Sequence, residues 1–392
     1  MIVIILFWIF VGLILYSYIG YTVILFAISA FKKTFHPLKH VNNNIEKPYI
    51  TLVVAAYNEE NNVVDKIENT LQQDYPKDKI IQIWVNDSST DKTREILSNY
   101  SNITVLDQPE RKGKMAAINL AMTHVKTPIT IFSDANAMLS KGAISKLVEP
   151  FTNPKVGCVA GEKRIHLQWI ENAAATGEGF YWKYESLIKK LESDCGSTLS
   201  ATGELYAIRT EIFKEIESDT ILDDFAISSL AIKNGYLAKY VSEANACEKA
   251  SANILEEKKR KVRIAAGSFQ VLFRNLDLIN PFKHLTFSIE FVSHKLLRWF
   301  ILPLSIFIIP LLNLFILLSG SQNPIYFISI ALQLVVMISI IAGWLIKDKN
   351  IKLKWFFIPF YLFMMNISII QGFIRFIKGK QNVRWDKSVR QT

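Results

Sequence analysis

Cysteine is scarce in this chain, with three in 392 residues. Cys158, Cys195 and Cys247 are far apart, odd in number and without the close pairing of a metal knuckle. That excludes a disulfide scaffold and a cysteine-built metal site, and reads as reduced thiols in a cytosolic setting. Internal repeats and low-complexity tracts are also lacking, which excludes a solenoid and a long biased tail. A basic start is missing too. The apolar run from Ile2 to about Phe31 is followed, not preceded, by its lysines, Lys32 and Lys33. A cleaved signal needs the reverse order and a shorter apolar core. The run is therefore expected to be a permanent anchor, with its start outside and the next domain in the cytosol.

Apolar and basic residues are plentiful. Half the residues are hydrophobic, and the excess lies at the two ends, leaving a middle that reads as an ordinary soluble α/β sequence. The net charge is +10, and the basic residues cluster where apolar segments stop, as at Lys32, Lys33 and Lys347 to Lys354. That placement matches the positive-inside rule and anionic head groups. Membrane lipids are expected partners. Nucleic acid is not, because no module joins stacking aromatics to a basic patch.

Five regions follow: an anchor over 1–31, a soluble domain over 49–270, an amphipathic interfacial segment over 271–298, a membrane region over 299–377 and a basic tail over 378–392. A polar stretch with Asn42, Asn43, Asn44 and Pro48 links the first two. In the soluble part, "YITLVVAA", "IIQIWV", Ile103 to Leu106 and "ITIFS" read as strands, the apolar runs as strands buried on both faces. Helical patterns around Val63 to Leu71 and Met115 to His124 alternate with them. The pattern predicts an α/β fold, a doubly wound, mostly parallel sheet that presents ligands at the carboxyl ends of its strands.

Polar residues stand at those ends. Tyr57, Asn58 and Glu59 follow the first strand, Asn86 to Thr90 the second, and Asp134, Ala135 and Asn136 the fourth. Acidic groups at adjacent strand ends repel one another unless something positive lies between them, and a divalent cation on a diphosphate is the economical answer. For Ser88 to Thr90 a turn or helix-cap role is equally open.

The ordered set "AAYNEE", "VNDSSTDKT", "RKGKMAAIN", "FSDANA" and "LDDF" resembles the membrane-bound family 2 glycosyltransferases of GT-A fold, which include cellulose, chitin and hyaluronan synthases. The resemblance covers about residues 49–270. It implies transfer of a sugar from a nucleotide-sugar, a UDP-sugar first, to a lipid-linked or glycan acceptor, with inversion and with Mg2+ or Mn2+. By the same resemblance Tyr57 stacks on the nucleobase, Glu59 and Asp87 hold base or ribose, and Lys114 faces phosphate. Asn119 matches a family asparagine, and Asp134 and Asn136 fill the place of the DxD metal motif. Asp224 is the general base. Gly203, in "SATGELYAIR", lines the acceptor pocket. Tyr181 and Trp182 either stack on an acceptor sugar or form the core face of a helix.

Two positions depart from the pattern. Asn136 replaces the second DxD acid, so an amide oxygen ligates without a full charge. In place of QxxRW the chain has Arg260, Arg263 and Ile264: Arg263 keeps the diphosphate cation, Arg260 on the acceptor side replaces glutamine, and the aromatic platform is lost. A processive synthase that extrudes its polymer is thus the second reading, and a non-catalytic membrane scaffold the third. Apolar segments run from about Trp299 to Leu318, Ile325 to Ile346 and Trp355 to Phe376. Pro359, Asn366, Gln371 and Gly372 interrupt the last, which is expected to lie at the interface or re-enter rather than cross. The tail then stays cytosolic, with Trp385 and Arg390 approaching the donor and acceptor site. A third full span is the alternative.

Overall fold

The computed structural model describes residues 1–35, 46–165, 173–346 and 354–380. Helix α1 (Ile2–Leu15) passes through a single π stretch, Tyr16–Gly20, into α2 (Tyr21–Phe35), making one run of 34 residues. At about 1.5 Å per residue that exceeds a hydrocarbon core of about 30 Å, so the run is long enough to cross one and ends in the basic pair Lys32 and Lys33.

The strands are β1 (Ile50–Ala56), β2 (Ile80–Asn86), β3 (Thr104–Asp107), β4 (Ile129–Ser133), β5 (Met138–Leu139), β6 (Val156–Ile165), β7 (Leu205–Arg209) and β8 (Leu237–Glu248). They form one sheet in the order β3-β2-β1-β4-β7-β6-β8-β5. Strands β3, β2, β1 and β4 are parallel, with Ile50 opposite both Ile80 and Ile129. Strand β7 is antiparallel to β4 and to β6, β8 is parallel to β6, and β5 is antiparallel to β8. The sheet is therefore mixed, with its parallel half at the predicted strands.

Successive residues of β1 face opposite cores. Leu52 and Val54 pack with Val63 and Ile67 of α3 (Val63–Leu71) and with Ile144 and Leu147 of α6 (Ala143–Val148). Val53 joins Met115 and Ile118 of α5 (Lys114–Met122) and Ile227 of α8 (Asp223–Lys233). Helix α4 (Thr93–Ser98) packs beside α3 and β2. Both faces are dry, which is why the strand sequences are continuous apolar runs.

Two longer helices join the sheet to the membrane segments. Helix α7 (Ala173–Cys195) meets α2, where Tyr21 Oη donates to Glu192 at 2.9 Å and Lys33 pairs with Asp194 at 2.6 Å. Helix α9 (Ile254–Arg274) starts at Asn253, whose side chain accepts from the backbone N–H of Leu255 and Glu256.

Segment 271–298 is not one amphipathic unit. It holds the end of α9, a 3-10 turn (Leu276–Ile279), α10 (Leu285–Phe291) and the start of a π stretch (Val292–Ile301) that continues into α11 (Leu302–Leu318). The apolar helix thus begins at Leu285, not near Trp299. Its polar residues are tolerated because they turn inward. His294 Nδ1 lies 2.7 Å from Glu192, and Arg298 donates to Glu185 at 2.8 Å, both acids on α7.

Helix α12 (Pro324–Ile346) is long, apolar and largely uncovered. Helix α13 (Lys354–Ile377) runs unbroken past Pro359, alongside α9 and in the same direction. Tyr361 Oη donates to Glu257 at 2.9 Å, and Phe376 stacks near Phe273. A Cβ on Gly372 would lie 2.5 Å from Ala265 Cβ and 2.9 Å from the Val262 carbonyl oxygen, so only glycine permits this approach. Four helical runs in the described residues are long and apolar enough to cross a membrane.

Candidate active site

The carboxyl ends of β1, β2 and β4 open into a cleft of about 310 Å3, whose lining includes Tyr57, Asp87, Lys114, Asp134, Asp224 and Arg263. Two non-glycine residues there have left-handed backbones, Asn58 (φ 54°) and Ser88 (φ 57°). They brace one another's turns. Asn58 N donates to Ser89 Oγ at 3.1 Å, and Thr90 N donates to Asn58 Oδ1 at 2.8 Å. Ser89 and Thr90 therefore serve the turn, and strain of this kind persists only where its surroundings over-determine it.

Both oxygens of Asp87 accept backbone N–H groups, from Lys112 at 2.8 Å and Gly113 at 2.9 Å. Gly113 sits at φ 93°, a conformation that favours glycine, and α5 begins immediately after it. Asp87 thus fixes the turn that aims Lys114. The Lys114 ammonium lies 2.6 Å from Asp134 Oδ1 and 3.1 Å from Asp223 Oδ2. Burial works against its charge, but Asp134 and Asp223 outweigh that and hold its pKa above the usual lysine range.

Asp223 and Asp224 open α8 with different surroundings. Asp223 is buried, takes the Tyr206 hydroxyl at 2.7 Å and pairs with Lys114. Asp224 faces the cleft, and its carboxyl accepts the Phe225 N–H at 2.8 Å. Burial first, and the Asp223 charge second, push its pKa up to about 7 against the opposing pull of Lys114 and that N–H. A carboxylate tuned to neutrality in a cleft can accept a proton. Gly203 borders it: a Cβ there would lie 3.8 Å from Asp224 Oδ2 and 3.9 Å from Lys114 Nζ, so a side chain would enter the reacting space.

The cleft also receives Glu59, Asn136, Tyr181, Trp182 and Arg260. Tyr57 carries the Arg111 guanidinium 3.7 Å above its ring, so Arg111 is a cleft residue that sequence reasoning missed, although it stands two places before Gly113. Tyr181 and Trp182 both face the cleft with the Lys261 ammonium over their rings, at 4.9 and 5.6 Å. Asn119 stands apart from the cleft lining: its amide clamps Ile216 at both backbone groups.

Arg260, expected on the acceptor side, reaches the cleft from within a cluster of acids. It is 7% exposed and bonded to Glu178 and Glu257, with Glu248 at 3.7 Å. Lys163 meets Glu178, Glu204 and Glu248 in the same cluster, and Lys261 meets Glu257. Four buried carboxylates therefore hold three cations, and the Arg260 guanidinium is occupied by protein rather than offered to a sugar. Trp385 and Arg390 lie outside the described residues.

A metal finds few ligands here. Among the described residues no three His, Cys, Asp or Glu side chains group as a cation site. Asp134 has an open side, at 32% side-chain exposure, and Asn136 lies two residues on.

Residues 51–216 match the family described as Glycosyl transferase family 2. The chain carries a glycosyltransferase family 2 domain. It is 28% identical over 241 residues to a poly-beta-1,6-N-acetyl-D-glucosamine synthase of Staphylococcus epidermidis, covering 58% of this chain and 56% of that protein. The corresponding synthase of Staphylococcus aureus strain MSSA476 is 27% identical over the same shares. The chain thus spans little more than half the length of the curated relatives it matches. Its fold is GT-A: a mannosyltransferase from Pyrobaculum calidifontis, solved in complex with GDP-Man and Mn2+, superposes with a TM-score of 0.70. That structure is 20% identical, covering 96% of this chain and all of that one. The glycosyltransferase domain accounts for the cleft at the strand ends, and the helices around it carry the membrane segments.

Proposed function

We propose that this glycosyltransferase domain moves a sugar from a nucleoside diphosphate sugar, a UDP-sugar, to a lipid-linked or glycan acceptor at the membrane, with inversion. The observation that carries the reading is the Asp224 carboxyl, tuned to about 7 at the cleft floor beside the Lys114–Asp134 pair. Asp224 takes the proton of the acceptor hydroxyl as its oxygen attacks the anomeric carbon, and the nucleoside diphosphate leaves from the opposite face. Tyr57 and Arg111 hold the base, Asp87 holds the turn at the phosphates, and Lys114 and Arg263 face the developing negative charge. Asp223 orients Lys114 and supplies the like charge that makes Asp224 basic.

One carboxylate, one amide and an open side fit a Mg2+ or Mn2+ ion that arrives with the diphosphate, since such ions need few protein ligands when phosphates and water fill the rest. Asp134 and Asn136 would hold it. When bound, the ion neutralises the leaving diphosphate. Likeness to the poly-beta-1,6-N-acetyl-D-glucosamine synthases favours a second reading, processive extension of a polymer.

The topology belongs to the same proposal. The protein lies in the cell membrane with its catalytic domain in the cytosol. Helix α13 packs along α9, which carries Lys258, Lys259, Arg260, Lys261 and Arg263, and a helix bound to so charged a neighbour fits the interface better than the bilayer centre. The test is release of nucleoside diphosphate from a panel of nucleotide-sugars, with product sizing. Turnover with one donor, lost in excess EDTA and on Asp134→Ala, is expected. Full turnover in EDTA would sink the metal-assisted reading.

A further inference from the structure

Lys66 is an anomaly in α3. The inner face of that helix presents Val63, Lys66, Ile67 and Thr70 to the core, and Lys66 is wholly buried at an apolar position. Among the described residues it forms no ion pair with a carboxylate. Its Nζ instead donates to Ser133 Oγ at 2.7 Å and to the carbonyl oxygen of Ala137. Those residues flank the loop that bears Asp134 and Asn136.

The grip extends further. Ser133 Oγ lies 2.8 Å from the Glu204 carbonyl oxygen, next to Gly203, so the lysine reaches the acceptor side through one hydroxyl. One turn along α3, Asn69 clamps Leu139 at both backbone groups, at 2.9 and 2.8 Å. Helix α3 therefore holds both ends of a short loop whose outer side faces the donor. A buried ammonium is costly, and a core this dry would be more stable with methionine there. Its retention needs a reason in the loop.

Sequence and structure meet at this point. Asn136 removes one negative charge from the loop that carries Asp134. That weakens a free cation's hold on the loop, so the geometry of the remaining ligands must already be correct when the donor arrives. We propose that Lys66 is a positioning residue that pre-sets the loop from Ser133 to Ala137 for a diphosphate-bound divalent cation. This rests on the donor-site reading above. Lys66 touches neither the donor nor the ion. It acts through the Ser133 hydroxyl and the Ala137 carbonyl that it ties.

The test is Mn2+ binding to the full-length protein in detergent, read by electron paramagnetic resonance with UDP present. Lys66→Met should fold and keep or raise its melting temperature. Its UDP-dependent Mn2+ affinity should fall about 10- to 100-fold, the usual cost of losing an outer-shell partner. Ser133→Ala, which keeps the lysine, should fall in the same direction by less, and Lys66→Gln, with one donor restored, should recover part of the loss. Thr70→Val, on the same helix face but away from the loop, should leave Mn2+ binding alone. If Lys66→Met is folded with unchanged Mn2+ affinity, or if Thr70→Val weakens binding equally, the inference is overturned and the donor site stands. Wild-type protein that binds no Mn2+ with UDP overturns both.

Discussion

Replacing Asp224 by asparagine keeps the shape of the side chain and removes its capacity to take a proton. Losing a general base costs about 10²–10⁴-fold in turnover. The raised pKa adds a pH signature. With a value of about 7, roughly a tenth of the wild-type carboxyl is ionised at pH 6, so turnover should climb about tenfold per pH unit below neutrality and flatten above it. The asparagine variant should be slow and flat over that range. Stability should move the other way. A folded pKa above the ordinary 3.8 means that the folded state binds the extra proton, so wild-type stability falls as pH rises from about 4 to 7. The three-unit shift corresponds to about 4 kcal/mol, or about 2 kcal/mol after halving for solvent on the open side of the carboxyl. Asp224→Asn should therefore melt at a higher temperature than wild type at pH 8, and show no advantage at pH 4. The assay pairs steady-state release of nucleoside diphosphate with thermal melts across pH, plus UDP binding to show that the donor site survives. A folded, UDP-binding variant with near-normal turnover would refute the base assignment. Equal melting temperatures at pH 8 would refute the electrostatic account of the shift.

Arg260→Met leaves four buried carboxylates facing two cations, and breaking such a cluster should cost about 3–5 kcal/mol. A melting temperature near that of wild type would show that the cluster is not what holds α9 to α7 and β8. For topology, a cysteine added after Thr392 should resist a membrane-impermeant thiol reagent in intact cells and react once they are opened. Labelling of intact cells would place the tail outside and make α13 a full span.

Strands β1, β2 and β4 were legible because they are buried on both faces, and burial on both faces leaves a run rich in Ile and Val. The polar clusters past β1, β2 and β4 stood out for the complementary reason, a sudden change from apolar to acidic and amide side chains. The apolar helices were legible from length alone, although the start of α10 at Leu285 was hidden by Glu290, His294, Lys295 and Arg298. His294 and Arg298 among them look amphipathic in sequence and become core only against Glu192 and Glu185, more than ninety positions away. The surroundings of Arg260 were hidden for the same reason: its partners Glu178 and Glu248 come from other elements. By itself the sequence determined what each segment can bury and where chemistry-bearing residues leave a strand. Only the tertiary structure decided which charges face the cleft and which are spent on one another. Pairing is a property of distance in space, and the separation of Lys66 from Ser133, or of Lys114 from Asp223, along the chain carries no trace of it.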